Sequence, residues 1–267
     1  MGIIQGLTEF LPVSSSGHLV LTEHIFGLHP KLYLAAVLHM GTLAVTIVYF
    51  RAELWQMVVD TFGAVWTVVS RRATWRQVWQ DRSGLRLTGL VAVATIPTGI
   101  IGLGIQRSWE AMADSVVLVS ALLLVTAAIL VVTRFIPTGS GKPTLAKAFW
   151  LGVVQGLAVL PGISRSGSTI AAGLLLGMDR EEAGRFSFLI SVPAVAGAGL
   201  LEAGAIAKAP VGEVPGIVVG TLLAVVVGYL ALWWLMRYVK RGRLHVFAWY
   251  LLPAGFGGLA WWLWGGA

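Results

Sequence analysis

Three ionisable residues, Glu9, His18 and Arg165, stand inside apolar stretches of this 267-residue chain, where a charge is expensive unless it faces a wet cavity and has partners. Gln5 and Glu9 are four apart, so a helix carries both on one face. Pro12 then stops that helix ahead of three hydroxyls, Ser14, Ser15 and Ser16. Those serines could cap a following half-helix, and a capped N-terminus with free amides is also an anion site; the two readings are compatible. Arg165 sits in a second polar nest with Ser164, Ser166, Gly167 and Thr169. A guanidinium offers phosphate two parallel donors, and flanking hydroxyls with helix-start amides complete an oxyanion cradle.

Carboxylate, imidazole, hydroxyls and guanidinium together suit phosphoryl transfer. A carboxylate such as Glu9 can hold a hard divalent metal, Mg²⁺ or Ca²⁺, through oxygen. An imidazole can act as nucleophile or general acid, and an arginine stabilises transition-state charge. Plainer alternatives exist. Residues 1 to 20 could lie at a membrane interface with Glu9 and His18 merely solvated, and arginines can snorkel to a surface. About ten residues from either end of a hairpin is a poor place from which to snorkel, so phosphate binding is the preferred reading of Arg165. Spacing alone leaves phosphoryl transfer as one option among several.

The elements that must position these groups are membrane elements. The chain is 57% hydrophobic and only 12% charged, about half the charge of a soluble domain. Apolar runs of about 20 residues, the length of a bilayer crossing, recur throughout. Six full spans are expected, over residues 33 to 50, 86 to 105, 115 to 134, 184 to 203, 214 to 236 and 246 to 264. Residues 53 to 80 carry Trp55, Trp66, Trp75 and Trp79 among arginines, a pattern for an amphipathic helix lying in the headgroup region rather than a seventh crossing. The absence of cysteine excludes disulfides and thiolate-held cofactors. No basic targeting segment precedes the polar motif, which begins only four residues after Met1 and leaves less than two helical turns for the first arm of the first hairpin; the sequence does not tell whether the native start lies upstream.

The net charge of +7 follows topology and does not call for nucleic acid. Fifteen of the nineteen basic residues cluster between alternate spans, and the positive-inside rule puts them in the cytosol. Lys31, Arg107 and Lys208 lie in the opposite loops, and Arg165 lies inside an apolar stretch.

Two apolar segments are broken, over residues 2 to 20 and 152 to 170, and they resemble each other. Gln5, Gly6 and Leu7 match Gln155, Gly156 and Leu157 at an offset of 150; Ser14, Ser16 and Gly17 match Ser164, Ser166 and Gly167 at the same offset. Duplication explains this shared order better than chance. The expected fold is all-α: six transmembrane helices plus two re-entrant helical hairpins, in repeats covering 1–137 and 138–267 of a single membrane domain. Three full spans separate the hairpins, so they should enter from opposite faces, which makes the repeats inverted and brings the two tips together.

At these residues the chain closely resembles the undecaprenyl-diphosphate phosphatases of the bacitracin-resistance type. The resemblance rests on Gln5 and Glu9 followed by Phe10-Leu11-Pro12-Val13-Ser14-Ser15-Ser16-Gly17-His18, and on Pro161 to Thr169 with Ser-Arg-Ser-Gly at Ser164 to Gly167. It extends to Leu38-His39-Met40-Gly41-Thr42 and to Phe186-Ser187-Phe188-Leu189 with Pro193, and so covers essentially the whole chain. It implies metal-dependent hydrolysis of a polyprenyl diphosphate lipid to the monophosphate, at a site opening to the outer face of the bacterial cytoplasmic membrane. Glu9, His18 and Arg165 fall on the family's essential positions, with His18 as nucleophile or acid and Ser15 assisting. Ser14, Ser16, Ser164, Ser166, Gly167, Thr169 and Gln5 are the expected substrate-binding residues. Gln5 departs from the two-carboxylate version of the motif, so metal binding is assigned to Glu9. His24 and His29 read as loop residues and His39 as a core histidine lining the same cavity; all three are left out of the site.

The rival class is a transporter that flips a lipid phosphate, since inverted repeats serve carriers too. A purely structural membrane subunit gives no reason for Glu9, His18 and Arg165. A homodimer is compatible with the sequence, which does not state the oligomeric state.

Overall fold

The computed structural model describes residues 1–27, 32–206 and 209–265; His29, Lys31 and Lys208 lie outside the described residues. The described chain is helical apart from turns and one isolated bridge between Gly141 and Met178. In order the helices are α1 (Gly2–Phe10), α2 (Ser15–Phe26), α3 (Leu32–Tyr49), α4 (Arg51–Val69), α5 (Trp75–Asp81), α6 (Ser83–Gln106), α7 (Trp109–Ala113), α8 (Val116–Val132), α9 (Leu145–Leu157), α10 (Arg165–Leu175), α11 (Arg180–Ile206), α12 (Val214–Lys240) and α13 (Ala248–Leu263).

Five of the expected crossings are matched by continuous apolar helical stretches long enough to span a membrane: Ser83–Gln106, Val116–Phe135, Arg180–Gly204, Val211–Lys240 and Leu244–Leu263. The sixth, expected over 33 to 50, is the first arm of a bent pair: α3 and α4 meet at 76°. The segment expected to be one amphipathic helix over 53 to 80 is two helices, α4 and α5. Between them Arg71 takes a left-handed φ of 54°, and Thr74 starts α5 with a capping box closed by Gln77. Large apolar side chains, among them Phe62, Ile100, Leu200, Val226 and Trp249, face outward, a surface suited to lipid rather than water.

Both broken segments follow one local plan. Pro12 disfavours helical backbone at the preceding residue, and Leu11 is extended (φ −60°, ψ 145°), ending α1. Ser14 then caps α2 by accepting from the Gly17 amide at 3.2 Å. In the second segment Ser164 caps α10 by accepting from the Gly167 amide at 3.1 Å. The paired hydroxyls repeat as well, with Ser14 and Ser16 3.3 Å apart and Ser164 and Ser166 3.4 Å apart.

The arms that lead into these breaks dock crosswise: α1 packs along α12, and α9 along α6. Small residues allow each approach. A Cβ on Gly6 would overlap the Ala224 carbonyl, and one on Gly152 would overlap the Ala94 carbonyl. Each half of the chain thus lends its long helix to the other half's short one. The two breaks meet at the centre of the bundle.

Candidate active site

Glu9 is the hub of that meeting point. It lies on the last turn of α1, buried, and both its oxygens are engaged. Arg165 Nη2 donates to Oε1 at 2.5 Å. Oε2 accepts from Ser15 Oγ at 2.7 Å and from Gln5 Nε2 at 3.1 Å, the latter across the four-residue helical spacing. Arg165, at the first position of α10, therefore reaches over 156 residues of sequence to the first break. Its other terminal nitrogen, Nη1, is buried and has no hydrogen-bond partner among the described residues. A guanidinium with one donor committed and another idle is prepared to take an anionic oxygen.

A cavity of about 280 Å³ opens beside this pair, near the lower end of the roughly 300 to 1,000 Å³ typical of small-molecule sites. Glu9, Arg165, Ser14, Ser15, Ser16 and Ser164 line it.

The remaining expected site residues stand behind this wall. Gln5 is fully buried and holds Glu9. The Gly167 amide is spent on Ser164, and Ser166 faces the same serine. Thr169 donates to the Arg165 carbonyl at 2.7 Å and meets Ser187 Oγ at 2.5 Å, tying α10 to α11. His18 does not line the cavity. Its Nδ1 lies 2.8 Å from the Ser14 carbonyl and its Nε2 2.7 Å from the Tyr250 hydroxyl. A carbonyl only accepts, so Nδ1 carries the proton and Nε2 accepts from Tyr250. In this arrangement the ring, stacked on Tyr250, braces the serine turn.

Three further residues line the cavity, of which His39 was expected there and Glu202 and Gln155 were not. His39 from α3, left out of the site as a core histidine, has Nε2 3.5 Å from Glu9 Oε2. Glu202, near the end of α11, adds a second carboxylate to the lining; a lone acid in an apolar span was the available signal. Gln155 is the counterpart of Gln5 at the 150-residue offset, and its Oε1 is buried without a partner among the described residues. Its amide nitrogen donates to Thr98 Oγ1 at 3.2 Å and to the Ile190 carbonyl at 3.1 Å.

No group of three or more His, Cys, Asp or Glu among the described residues forms a ready metal cluster. The lining nonetheless holds hard oxygen donors, the Glu9 and Glu202 carboxylates and serine hydroxyls, together with the His39 imidazole. They fit a cation that draws its other ligands from a phosphate and water, as Mg²⁺ does.

Comparison with known proteins agrees along the chain. A family model described as "Bacitracin resistance protein BacA" matches residues 1–257. A protein of Desulfosudis oleivorans named undecaprenyl-diphosphatase is 48% identical over 259 residues, 96% of this chain and 94% of that protein. Its namesake in Desulfatibacillum aliphaticivorans is 43% identical over the same shares. Another, from Methanobrevibacter smithii, is 35% identical over 96% of this chain and 93% of its own.

Proposed function

The chain belongs to the bacitracin resistance protein BacA family, and from that membership we infer that it is a multi-pass membrane undecaprenyl-diphosphatase. It hydrolyses undecaprenyl diphosphate to undecaprenyl phosphate and inorganic phosphate, recycling the lipid carrier of cell-wall synthesis. Full-length similarity to proteins of that one name carries the conclusion.

We further propose that the reaction takes place where the two breaks meet. The terminal phosphoryl group is held against Arg165, whose idle Nη1 supports this placement, with Ser14, Ser16 and Ser164 around it. The nucleophile, His18 or a water for which His18 acts as acid, attacks the terminal phosphorus, the bond from that phosphorus to the bridging oxygen breaks, and the bridging electron pair leaves with the lipid monophosphate; water, directly or by cleaving the phospho-enzyme, supplies the fourth oxygen of the released phosphate. Arg165 offsets charge on the equatorial oxygens. Ser15, hydrogen-bonded to Glu9, is placed to pass a proton to that carboxylate. His18 is proposed as nucleophile or general acid with Ser15 assisting; acting so requires its ring to leave Tyr250. Glu9 would hold a divalent cation, Mg²⁺ or Ca²⁺, with Gln155 Oε1 within the same lining. When bound, such a cation neutralises charge on the diphosphate oxygens.

The fold reading that goes with this site is a single membrane domain of two repeats, 1–137 and 138–267, with re-entrant hairpins entering from opposite faces. Support comes from the shared local plan of the breaks, the short arms of 9 and 13 residues before them, and the crosswise docking. Fifteen basic residues in alternate loops support a cytosolic placement of those loops, and family membership is what suggests a bacterial cytoplasmic membrane with the site opening to its outer face.

The test is phosphate release from a C55 prenyl diphosphate by the purified protein in detergent. Stoichiometric inorganic phosphate is expected. A flippase with the same fold would release none, and that outcome overturns the assignment.

A further inference from the structure

We propose that Glu9 and His39 bind the divalent cation as a pair, with Glu9 Oε2 and His39 Nε2 as adjacent ligands. This rests on the reading of Glu9 as the metal residue and adds a nitrogen to the coordination sphere. The consequence is a broader metal range: imidazole suits ions such as Zn²⁺ and Ni²⁺, whereas Mg²⁺, Ca²⁺ and Mn²⁺ favour oxygen, so a coupled nitrogen on Mn²⁺ is a stringent sign of the histidine.

The first support is the state of the ring. His39 Nδ1 lies 2.8 Å from the Ala35 carbonyl one turn back on α3. That oxygen only accepts, so Nδ1 donates to it and Nε2 is the ring nitrogen that faces Glu9, the one left to bind a cation. A ring whose far nitrogen donates to a backbone carbonyl is the usual outer-shell arrangement of a metal-ligating histidine. His18 has the same internal bond, but its Nε2 is taken by Tyr250.

The second support is the gap. Nε2 and Oε2 are 3.5 Å apart. Two ligands about 2.0 to 2.2 Å from one ion, at tetrahedral or octahedral angles, lie on the order of 3 Å apart, so a closure of a few tenths of an ångström suffices. Arg165 occupies Oε1 alone, leaving Oε2 as the oxygen directed toward the histidine.

The third support is the surrounding oxygen. Gln5 gives its amide nitrogen to Oε2 while its own Oε1 is buried without a partner among the described residues. Turning that amide over would present the unpartnered oxygen to a cation at Oε2 and withdraw a competing donor. The Ser15 hydroxyl can rotate its proton away to offer a lone pair. Gln155 Oε1 and the Glu202 carboxylate complete an oxygen-rich wall on the same cavity.

The experiment is Mn²⁺ binding to the purified full chain in detergent, first alone and then with methylenediphosphonate. It is followed by loss of the free-ion EPR signal and by pulsed EPR for nitrogen coupled to the bound ion. In the unsubstituted protein, imidazole nitrogen modulation is expected. His39→Gln should abolish that modulation and weaken Mn²⁺ binding by at least the roughly 10 to 100-fold that losing an outer-shell partner costs. The unsubstituted protein supplies the nitrogen signature by itself, so the proposal stays open to refutation if a variant fails to fold. Mn²⁺ bound without coupled nitrogen, weakened by Glu9→Gln and indifferent to His39→Gln, overturns the histidine ligand and leaves Glu9 as the metal residue. Binding indifferent to Glu9→Gln, or absent under both conditions, overturns both readings.

Discussion

Arg165→Lys separates charge from shape at the centre of the site. The arginine uses Nη2 on Glu9 and keeps Nη1 without a partner, so it can hold the carboxylate and a phosphoryl oxygen at once. A lysine brings one ammonium, a point charge that must choose between them. A hydrogen bond to a charged group contributes about 1.5 to 3 kcal/mol, and each 1.36 kcal/mol is tenfold in rate. Losing one such bond in the transition state should lower kcat by roughly 10 to 150-fold. Arg165→Ala loses the charge as well and should fall by roughly 10³ to 10⁵-fold. Alanine also leaves Glu9 buried without its cation, a change that costs about 3 to 5 kcal/mol in a buried pair, so its monodispersity in detergent must be checked first. The assay is initial-rate phosphate release from a prenyl diphosphate, with kcat and KM resolved. Lysine at the unsubstituted rate would refute the two-donor role. Equal rates for lysine and alanine would show that the cationic charge does not matter.

Glu9→Gln keeps the side-chain shape and one acceptor oxygen, for Arg165 or for Ser15, but turns the other oxygen into an NH2 donor and removes the charge. It should lose metal-dependent turnover while its elution profile is unchanged, and near-normal rates at saturating Mg²⁺ would sink the assignment. His18→Ala should lose more than the roughly 10² to 10⁴-fold of an acid–base group if the ring forms a covalent bond; full turnover would remove it from the mechanism. Gly152→Leu drives a side chain into the Ala94 carbonyl, so thermal unfolding in detergent should shift down by at least the 1 to 3 kcal/mol typical of overpacking. An unchanged transition would contradict the tight docking of α9 on α6.

The spans were legible because a bilayer crossing is written locally: twenty apolar residues announce themselves whatever surrounds them. The 76° bend after Tyr49 was not, because hydrophobicity continues across it and only tertiary packing turns the chain. The pairing of Glu9 with Arg165 could be anticipated from the repeat, since matching polar breaks imply matching depths. The direction of the His18 ring could not, being set by Tyr250, 232 residues away. His39 was legible as a cavity residue; Glu202 and Gln155 enter from α11 and α9, and their only signs were a lone acid in an apolar span and the match to Gln5, neither of which tells which way a side chain faces.

The crosswise docking has a consequence for biogenesis. Helix α1 is made about 200 residues ahead of its seat on α12, which spans residues 214 to 240. At about 5 to 20 residues per second, the interval is on the order of tens of seconds. For most of it, until residue 165 is made, Glu9 lacks Arg165, and throughout it the glycine face of α1 has only lipid or the insertion machinery to lie against. A nascent chain in that condition carries an unpaired carboxylate in an unfinished bundle, where it can serve as a mark for quality-control proteases. Completion of the last quarter of the chain is then what makes the first ten residues safe in the membrane.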